Sequence, residues 1–252
     1  MKKMKIKDLM NDARKQAMAR IEAGQEMRKS PKAQVEGDVA HLYIYDVIDT
    51  WWGVDPKEFI DELNAIEAGT IHLHINSPGG SVFDARTIQT ALAEHPAKVI
   101  THIDGLAASA VTYIAITQDE VHMAEGALFM IHNAWTFAWG NAEELKKSAA
   151  LLEKIDTTIV TDYKNKTGSE EKKIREWMKA ETWFSAAEAL EEGFIDTIFS
   201  PASQSKENTT EDSEEPEENT DKATNVTDAG NLKNKFDTAA RLREVELLAM
   251  RA

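Results

Sequence analysis

Apolar residues follow two alternating patterns through most of this chain. Short runs rich in β-branched and aromatic residues alternate with longer stretches in which apolar residues recur every three or four positions. The first pattern is typical of strands and the second of amphipathic helices. The predicted strands cover residues 39–47, 70–75, 98–103, 120–123 and 128–132, and the predicted helices cover residues 56–68, 82–95, 108–117, 142–166, 170–179 and 186–192. Their alternation predicts an α/β layered fold rather than a β-sandwich.

The two ends of the chain differ from this central part, which we assign to residues 37–199. Residues 1–36 carry ten basic and five acidic residues, with apolar residues at helical spacing. This pattern predicts a basic helical arm, and packing within its own oligomer is favoured over contact with a membrane or a nucleic acid. Residues 200–222 hold eight acids and no Val, Ile, Leu or aromatic residue, so we predict a disordered acidic linker over residues 200–230. Residues 231–252 again have a helical pattern.

Composition excludes several classes of function. The formal net charge of −15 argues against a general nucleic-acid binder, because phosphate binding needs clustered Lys and Arg. The chain has no cysteine, which excludes disulfides, Cys–Zn sites and thiol catalysis and suits a cytoplasmic protein. No apolar run approaches the roughly 18 residues that a membrane span requires, and the basic N-terminus lacks the apolar stretch of a signal peptide. We therefore expect a cytoplasmic protein that binds neither membranes nor nucleic acids.

Candidate chemistry is concentrated in three short segments. Ser109 lies among glycine and alanine residues just before an apolar helical run, and His132 ends a predicted strand. A serine becomes a strong nucleophile when a neighbouring base accepts its proton, and histidine is the usual base. Taken singly, a serine at a helix start is most often an N-cap, and a histidine at a strand end is most often structural. The third segment, 76–81, joins a strand to a helix through a glycine turn that can expose N–H groups to an oxyanion.

These segments resemble the Clp peptidase family, and the resemblance extends from Leu42 to Ile198. The motifs that carry it, in the order of the family, are Asn76-Ser77-Pro78-Gly79-Gly80-Ser81, Gly105-Leu106-Ala107-Ala108-Ser109, Met130-Ile131-His132 and Phe184-Ser185-Ala186-Ala187-Glu188-Ala189. The resemblance implies a ClpP/crotonase-like fold, in which layered ββα units form a superhelix with flanking helical arms. It also implies a serine endopeptidase that works as a ring-shaped homo-oligomer, a heptamer or a tetradecamer.

The resemblance assigns roles residue by residue. Ser109 is the implied nucleophile and His132 the implied general base. The backbone N–H groups of Gly80 and Ala110 are the implied oxyanion donors. Glu181 occupies the position of the aspartate that completes the family's catalytic triad.

The glutamate at position 181 is a departure from the family pattern. A carboxylate is retained and can still orient the imidazole, but the extra methylene changes the geometry. Asp162, predicted to lie on the outer face of the helix 142–166, is a weaker candidate for the same role.

One branch of the family is especially similar. The Glu-Thr-Trp-Phe sequence around Trp183 and the segments outside the peptidase region resemble the Clp-type head maturation proteases of tailed phages and prophages. This resemblance implies capsid and scaffold proteins as substrates, either in the bacterial host cytoplasm or inside a prohead. It implies neither a metal nor an organic cofactor. The chain has no Walker-type Gly-Lys-Ser/Thr loop, so any dependence on ATP would come from a partner ATPase.

A long helix is the predicted site of assembly. The family uses the element that corresponds to residues 142–166 as a handle between two rings, and three aromatic residues, Trp135, Phe137 and Trp139, precede this helix. Exposed aromatic clusters of this kind are typical of interfaces.

Two other functions remain open at this point. The first is a ring-forming assembly subunit whose catalytic residues have decayed, which the substitution at position 181 leaves possible. The second is a crotonase-type acyl-CoA enzyme, because that family shares the general fold and a glycine-turn oxyanion hole. The crotonase reading is the weaker one, since it does not need serine and histidine at these positions.

Overall fold

The computed structural model describes residues 5–22, 32–51 and 53–200. These ranges contain seven helices and eight strands. The helices are α1 (Ile6–Glu22), α2 (Pro56–Asn64), α3 (Val82–Glu94), α4 (Ala110–Ile116), α5 (Ala142–Thr167), α6 (Glu171–Ala180) and α7 (Ala186–Glu191). The strands are β1 (Gln34–Glu36), β2 (Val39–Ile44), β3 (Thr70–Ser77), β4 (Lys98–Ala108), β5 (Glu120–Ala124), β6 (Leu128–Ile131), β7 (Thr182–Ser185) and β8 (Thr197–Phe199).

The predicted mixture of helices and strands is confirmed. Each predicted helix overlaps an observed one, and α1 lies where the N-terminal arm was predicted to be helical. The predicted linker 200–230 (beyond its first residue) and the predicted helix 231–252 lie outside the described residues. Within the described ranges, no helix combines the length and the apolar character that crossing a bilayer requires.

The strands form one mixed sheet in the order β1-β2-β3-β4-β5-β8. Strands β2, β3, β4, β5 and β8 run parallel, while β1 pairs antiparallel with β2. Along β2 and β3 buried residues alternate with half-buried ones, and with the exposed Asn76 near the end of β3, so one face of the sheet packs on the core and the other is partly solvated. The two faces of the sheet therefore differ, one being buried in the core and the other partly exposed to solvent.

Strand β4 is longer than predicted and changes its partner along its length. The sequence pattern predicted a strand that ends at residue 103 and a helix from Ala108, but β4 continues through Ala108. Its first part pairs with β5 and its last three residues, Leu106–Ala108, pair with β6. The small residues of this segment allow the strand to continue beside β3. At Gly105 a larger residue would clash, because a Cβ there would lie 2.9 Å from the side-chain oxygen of Asn76. The strand thus delivers the chain directly to Ser109.

Three strands were not predicted from the sequence. They are β1, β7 and β8, each of three or four residues. Runs of this length are too short to show a periodic pattern, and they become strands because the neighbouring strands supply hydrogen-bond partners.

The half-buried face of the sheet carries a row of histidines. His41, His72, His74, His102 and His122 lie side by side across β2, β3, β4 and β5, with neighbouring ring centroids 4.9–5.3 Å apart. Nδ1 of His72 lies 2.7 Å from Nε2 of His102. All five of these histidines are half-buried. None of the clusters among the described residues has the geometry of a metal site.

The histidine row predicts acid sensitivity of the fold. Burial, aided by the neighbouring histidines, lowers the pKa of His102 to about 4, whereas an unfolded histidine titrates near 6.5. Between these two values the unfolded chain binds more protons than the folded one, so the free energy of unfolding decreases as the pH falls through this window and is restored above it. We expect His102 to account for roughly 1–2 kcal/mol of this loss, a figure reduced for the partial exposure of its ring.

Urea unfolding at pH 7 and pH 5 measures this effect. The wild-type midpoint should fall at pH 5, and the His102→Gln variant, which cannot bind the proton, should lose less. An equal loss in both proteins would assign the acid sensitivity to other groups.

Candidate active site

Ser109 occupies a sharp turn between strand β4 and helix α4. Its backbone has φ 57° and ψ −128°, a region that residues with a side chain rarely adopt and that stores strain. The Ser109 N–H donates to the carbonyl oxygen of Met130 at 2.9 Å, which fixes the turn against β6. Ser109 takes the N-cap position of α4, but its side chain makes no capping hydrogen bond to this helix.

His132 follows strand β6 and faces this serine. Its Nε2 lies 2.6 Å from Oγ of Ser109, a hydrogen-bond distance between a hydroxyl and a possible base. Burial lowers the pKa of His132, while the charges of Glu181 and Asp156 partly oppose this shift. A lowered pKa keeps the imidazole neutral near pH 7, and a neutral imidazole can accept the hydroxyl proton.

Glu181 lies near His132 but is not joined to it. It follows helix α6 in the left-handed conformation, with φ 53°, and Ser109 and Glu181 are the two described non-glycine residues with positive φ. The Oε1 atom of Glu181 accepts a hydrogen bond from the backbone N–H of Ile6 at 3.0 Å. No hydrogen bond connects Glu181 and His132 in the part of the chain that the structure describes. The structure therefore brings two of the three predicted triad residues together and leaves the third with another partner.

Gly79 packs directly under Ser109. It has φ +90°, and a Cβ placed on it would lie 2.5 Å from the oxygen of Ala108 and 2.7 Å from the nitrogen of Ala110. No side chain fits into this space, so a glycine is required where the turn 76–81 meets the start of α4. The two segments that the sequence pattern linked by resemblance are therefore in contact.

Gly80 and Ala110 are the predicted oxyanion donors. The residues on either side of Gly80 bond to Ile48, through Ile48 N–H to Gly79 O at 2.7 Å and Ser81 N–H to Ile48 O at 2.9 Å. In a parallel bridge of this kind the N–H of the middle residue points to the opposite side. Ala110 is the first residue of α4, so its N–H has no partner within the helix. The Gly80 N–H thus takes no part in the bridge to Ile48, and the Ala110 N–H takes no part in the hydrogen bonds within helix α4.

Asp156 is a residue near the site that the sequence interpretation missed. It is 7% exposed, and its carboxylate accepts from Asn133 Nδ2 at 2.6 Å and from the Ala134 N–H at 2.7 Å. These bonds fix the segment that directly follows His132. In the sequence, Asp156 stands between apolar residues of helix α5, and no local pattern connects it with His132.

The prediction for Asp162 is wrong. It was expected on the outer face of helix α5, but it is half-buried and forms an ion pair with Arg86. Charge pairing with an arginine of α3 accounts for its inward position, and nothing connects it with His132.

Comparison with known proteins decides the family. A family model described as Clp protease matches residues 58–202, a span that includes Ser109, His132 and Glu181 and covers more than half of the chain. The chain belongs to the Clp protease family. Members of this family are peptidases, and the resemblance predicted from the four motifs is confirmed at this level.

Curated members of the Clp protease family show the same relationship. The ATP-dependent Clp protease proteolytic subunit 2 of Tropheryma whipplei is 30% identical to this chain over 146 residues. These residues are 57% of this chain and 75% of that protein. Subunit 1 from Mycobacterium bovis is 30% identical over 134 residues, 52% of this chain and 67% of that protein. The proteolytic subunit of Streptococcus pneumoniae is 32% identical over 133 residues, 51% of this chain and 68% of that protein.

Proposed function

We propose that this member of the Clp protease family is a serine endopeptidase in which Ser109 is the nucleophile and His132 the general base. The observation that carries the proposal is the distance of 2.6 Å between Ser109 Oγ and His132 Nε2, at a serine held in a strained turn. Strain at one residue that also faces a base is typical of a site maintained for chemistry.

The proposed reaction is acyl transfer. Ser109 Oγ attacks the carbonyl carbon of a peptide while His132 Nε2 accepts the hydroxyl proton. The negative charge that develops on the carbonyl oxygen is stabilised by the N–H groups of Gly80 and Ala110. His132 then donates its proton to the departing amine as the C–N bond breaks. A water molecule, deprotonated by His132, hydrolyses the resulting ester and regenerates Ser109.

Two carboxylates have supporting roles in this proposal. Glu181 is the third member of the triad, which stabilises the imidazolium when its carboxylate reaches the His132 ring. Asp156 holds the backbone after His132 through Asn133 and Ala134, so it positions the base without touching the substrate. The proposed mechanism requires no metal and no organic cofactor.

Labelling with an alkyl fluorophosphonate tests the proposal. The serine oxygen displaces fluoride from phosphorus, so stoichiometric labelling at Ser109 that is absent from Ser109→Ala supports a serine protease. An assembled ring that remains unlabelled favours the alternative of an inactive assembly subunit. The specific observation behind that alternative is the bond from Glu181 to Ile6 instead of to His132. Turnover of an acyl-CoA without labelling would instead support a crotonase-type enzyme.

We also propose that the protein forms a ring of seven subunits, alone or as two stacked rings. Support comes from the first half of helix α5 and the segment before it, where large apolar side chains are exposed in the single chain. Trp135, Phe137 and Trp139 are 45%, 69% and 57% exposed, and Leu145 and Leu151 are exposed as well. Exposed apolar side chains concentrated in this way are typical of an interface between subunits.

A substitution in this segment tests the ring. Phe137→Asp places a charge where an aromatic side chain would be buried between subunits, and we expect the assembly to dissociate to smaller species at concentrations where the wild type stays assembled. Sedimentation velocity measures the change. Phe83→Asp, the same substitution at an equally exposed residue of helix α3, is the control and should sediment as the wild type does.

The proposed biological role is processing of capsid or scaffold proteins during phage head maturation, in the host cytoplasm or inside the prohead. It is supported by the sequence around Trp183 and by the segments outside the peptidase region. Co-expression with candidate capsid and scaffold proteins tests it, because cleavage that requires Ser109 identifies the substrate. A partner ATPase would be needed for any dependence on ATP.

The proposed organisation is an arm over residues 1–36, a peptidase domain over 37–199 built from layered ββα units, an acidic linker over 200–230 and a helical segment over 231–252. Limited proteolysis tests the linker. We expect the first cuts between Ser200 and Lys222, because this stretch has no apolar residues with which to fold. Resistance of this stretch under conditions that cut residues 1–36 would contradict the assignment.

A further inference from the structure

We propose that the first turn of helix α1 occupies the peptide-binding surface beside Ser109 and holds Glu181 away from His132, so that the N-terminal arm inhibits its own chain until it is displaced. This inference rests on the proposed protease function. It concerns a regulatory contact within the chain, and it is carried by three separate observations.

The first observation is the burial of Ile6. This residue is 2% exposed although it lies at the start of a peripheral helix. It packs into an apolar pocket formed by Leu106, Ala108, Met130 and Trp183, which we call the Ile6 pocket. A side chain so well buried at the beginning of an arm marks a specific docking contact.

The position of the Ile6 pocket relates it to the proposed chemistry. Ala108 directly precedes Ser109, and Met130 accepts the hydrogen bond from the Ser109 N–H. Met130 also pairs with Ala108 on one side and with Trp183 on the other. In the proposed inhibited form, Ile6 occupies the volume into which a peptide bound against Ser109 Oγ would place a neighbouring side chain.

The second observation is the partner of Glu181. Its Oε1 accepts from the Ile6 N–H at 3.0 Å, at the first residue of α1, where N–H groups lack partners within the helix and the helix dipole favours a negative charge. The arm therefore offers Glu181 a hydrogen bond that competes with the one to His132. Release of Ile6 frees this carboxylate for the imidazole.

The third observation is a buried donor without an acceptor in a residue of the Ile6 pocket. The indole Nε1 of Trp183 is buried and has no hydrogen-bond partner among the described residues. A buried donor without an acceptor is costly, and Trp183 belongs to the pocket that Ile6 covers. When the arm is displaced, water or a substrate carbonyl can accept a hydrogen bond from this N–H. The Trp183 indole then has a partner that it lacks while the arm is docked.

The contact is small enough to be reversible. Leu9 and Met10 pack beside Ile6, while Lys7, Asp8, Asn11 and Asp12 are exposed. Docking thus depends on the first turns of α1, and a substrate or a subunit contact can displace it without unfolding the sheet.

The test compares two variants of the full chain that add the same charge to the same helix. Ile6→Asp places a carboxylate in the apolar pocket and beside Glu181, whereas Asn11→Asp adds one on an exposed position of α1. The rate of fluorophosphonate labelling at Ser109 reports access to the site. We expect Ile6→Asp to be labelled about tenfold faster than the wild type, because the rate scales with the fraction of open molecules. Asn11→Asp should keep the wild-type rate, and the conservative Ile6→Val, which removes one buried methyl group, should be labelled faster than the wild type but more slowly than Ile6→Asp.

The outcomes separate this inference from the protease function. Equal labelling rates in all four proteins, with no labelling of Ser109→Ala, overturn the self-inhibition and leave the protease intact. Absence of labelling at Ser109 in every protein overturns the protease function and the self-inhibition together. Ile6→Ala serves in place of Ile6→Asp if the charged variant does not fold.

Hydrogen exchange provides an independent measurement on the wild type. The Ile6 amide should exchange slowly in the free protein and faster after a peptidyl boronate with an aliphatic side chain has bound covalently to Ser109. An Ile6 amide that stays equally protected in the fully modified protein would show that the arm and the inhibitor do not compete, and would contradict the proposal.

Discussion

Peptide hydrolysis is expected to fall by a factor on the order of 10⁶ when Ser109 is replaced by alanine, to a small rate above that in water. The variant removes the only atom that forms the acyl intermediate, while the binding surface and the oxyanion donors remain. The fold should be retained, because alanine has the same Cβ as serine and leaves the turn unchanged. Cleavage of a fluorogenic peptide measures the effect, and the thermal unfolding midpoint checks the fold.

Ser169→Ala is the matched control for this experiment. It makes the same chemical change between helices α5 and α6 and should cleave at the wild-type rate. Wild-type cleavage by the folded Ser109→Ala variant would remove Ser109 from the proposed mechanism.

The second large effect is expected at Gly80. A Cβ on this residue would lie 2.1 Å from the carbonyl oxygen of Ile48, and its φ of +151° is unfavourable for alanine. The turn must therefore shift, and the Gly80 N–H moves out of line with the developing oxyanion. Loss of one such donor lowers turnover about 10²–10³-fold. We expect Gly80→Ala to lower kcat by this factor with a smaller change in KM.

Gly126→Ala is the control for the glycine substitution. A Cβ at Gly126 meets no atom within 4 Å, so this variant should keep both the activity and the stability of the wild type. If Gly80→Ala stays folded and keeps its kcat, Gly80 is not an oxyanion donor.

The sequence predicted the long elements of the fold well, because their patterns repeat over several turns or residue pairs. It also predicted the meeting of Ser109 and His132, since the motifs that hold them carry a recognisable order. Strand β4 shows where this reasoning failed. Glycine and alanine have little intrinsic preference for a strand, so its last residues become extended only because β6 lies beside them.

The surroundings of the site were beyond prediction for a different reason. Glu181 binds an N–H that is 175 residues away in the chain, and Asp156 binds the segment after His132 from the middle of a long helix. Contacts of this kind depend on the packing of whole elements, and no local pattern encodes them. A single interruption of an apolar stripe, as at Asp156, is the most that the sequence shows.

The backbone of Ser109 has a consequence for the evolution of this protein. Its positive φ costs about 1–3 kcal/mol, and glycine would adopt it freely, with only about 0.5–1 kcal/mol lost to the greater freedom of glycine in the unfolded chain. Selection for thermal stability alone would therefore favour glycine at position 109. The resulting protein would be more stable but would lack the proposed nucleophile. A serine with this backbone conformation is expected where its hydroxyl serves the proposed chemistry rather than the stability of the fold.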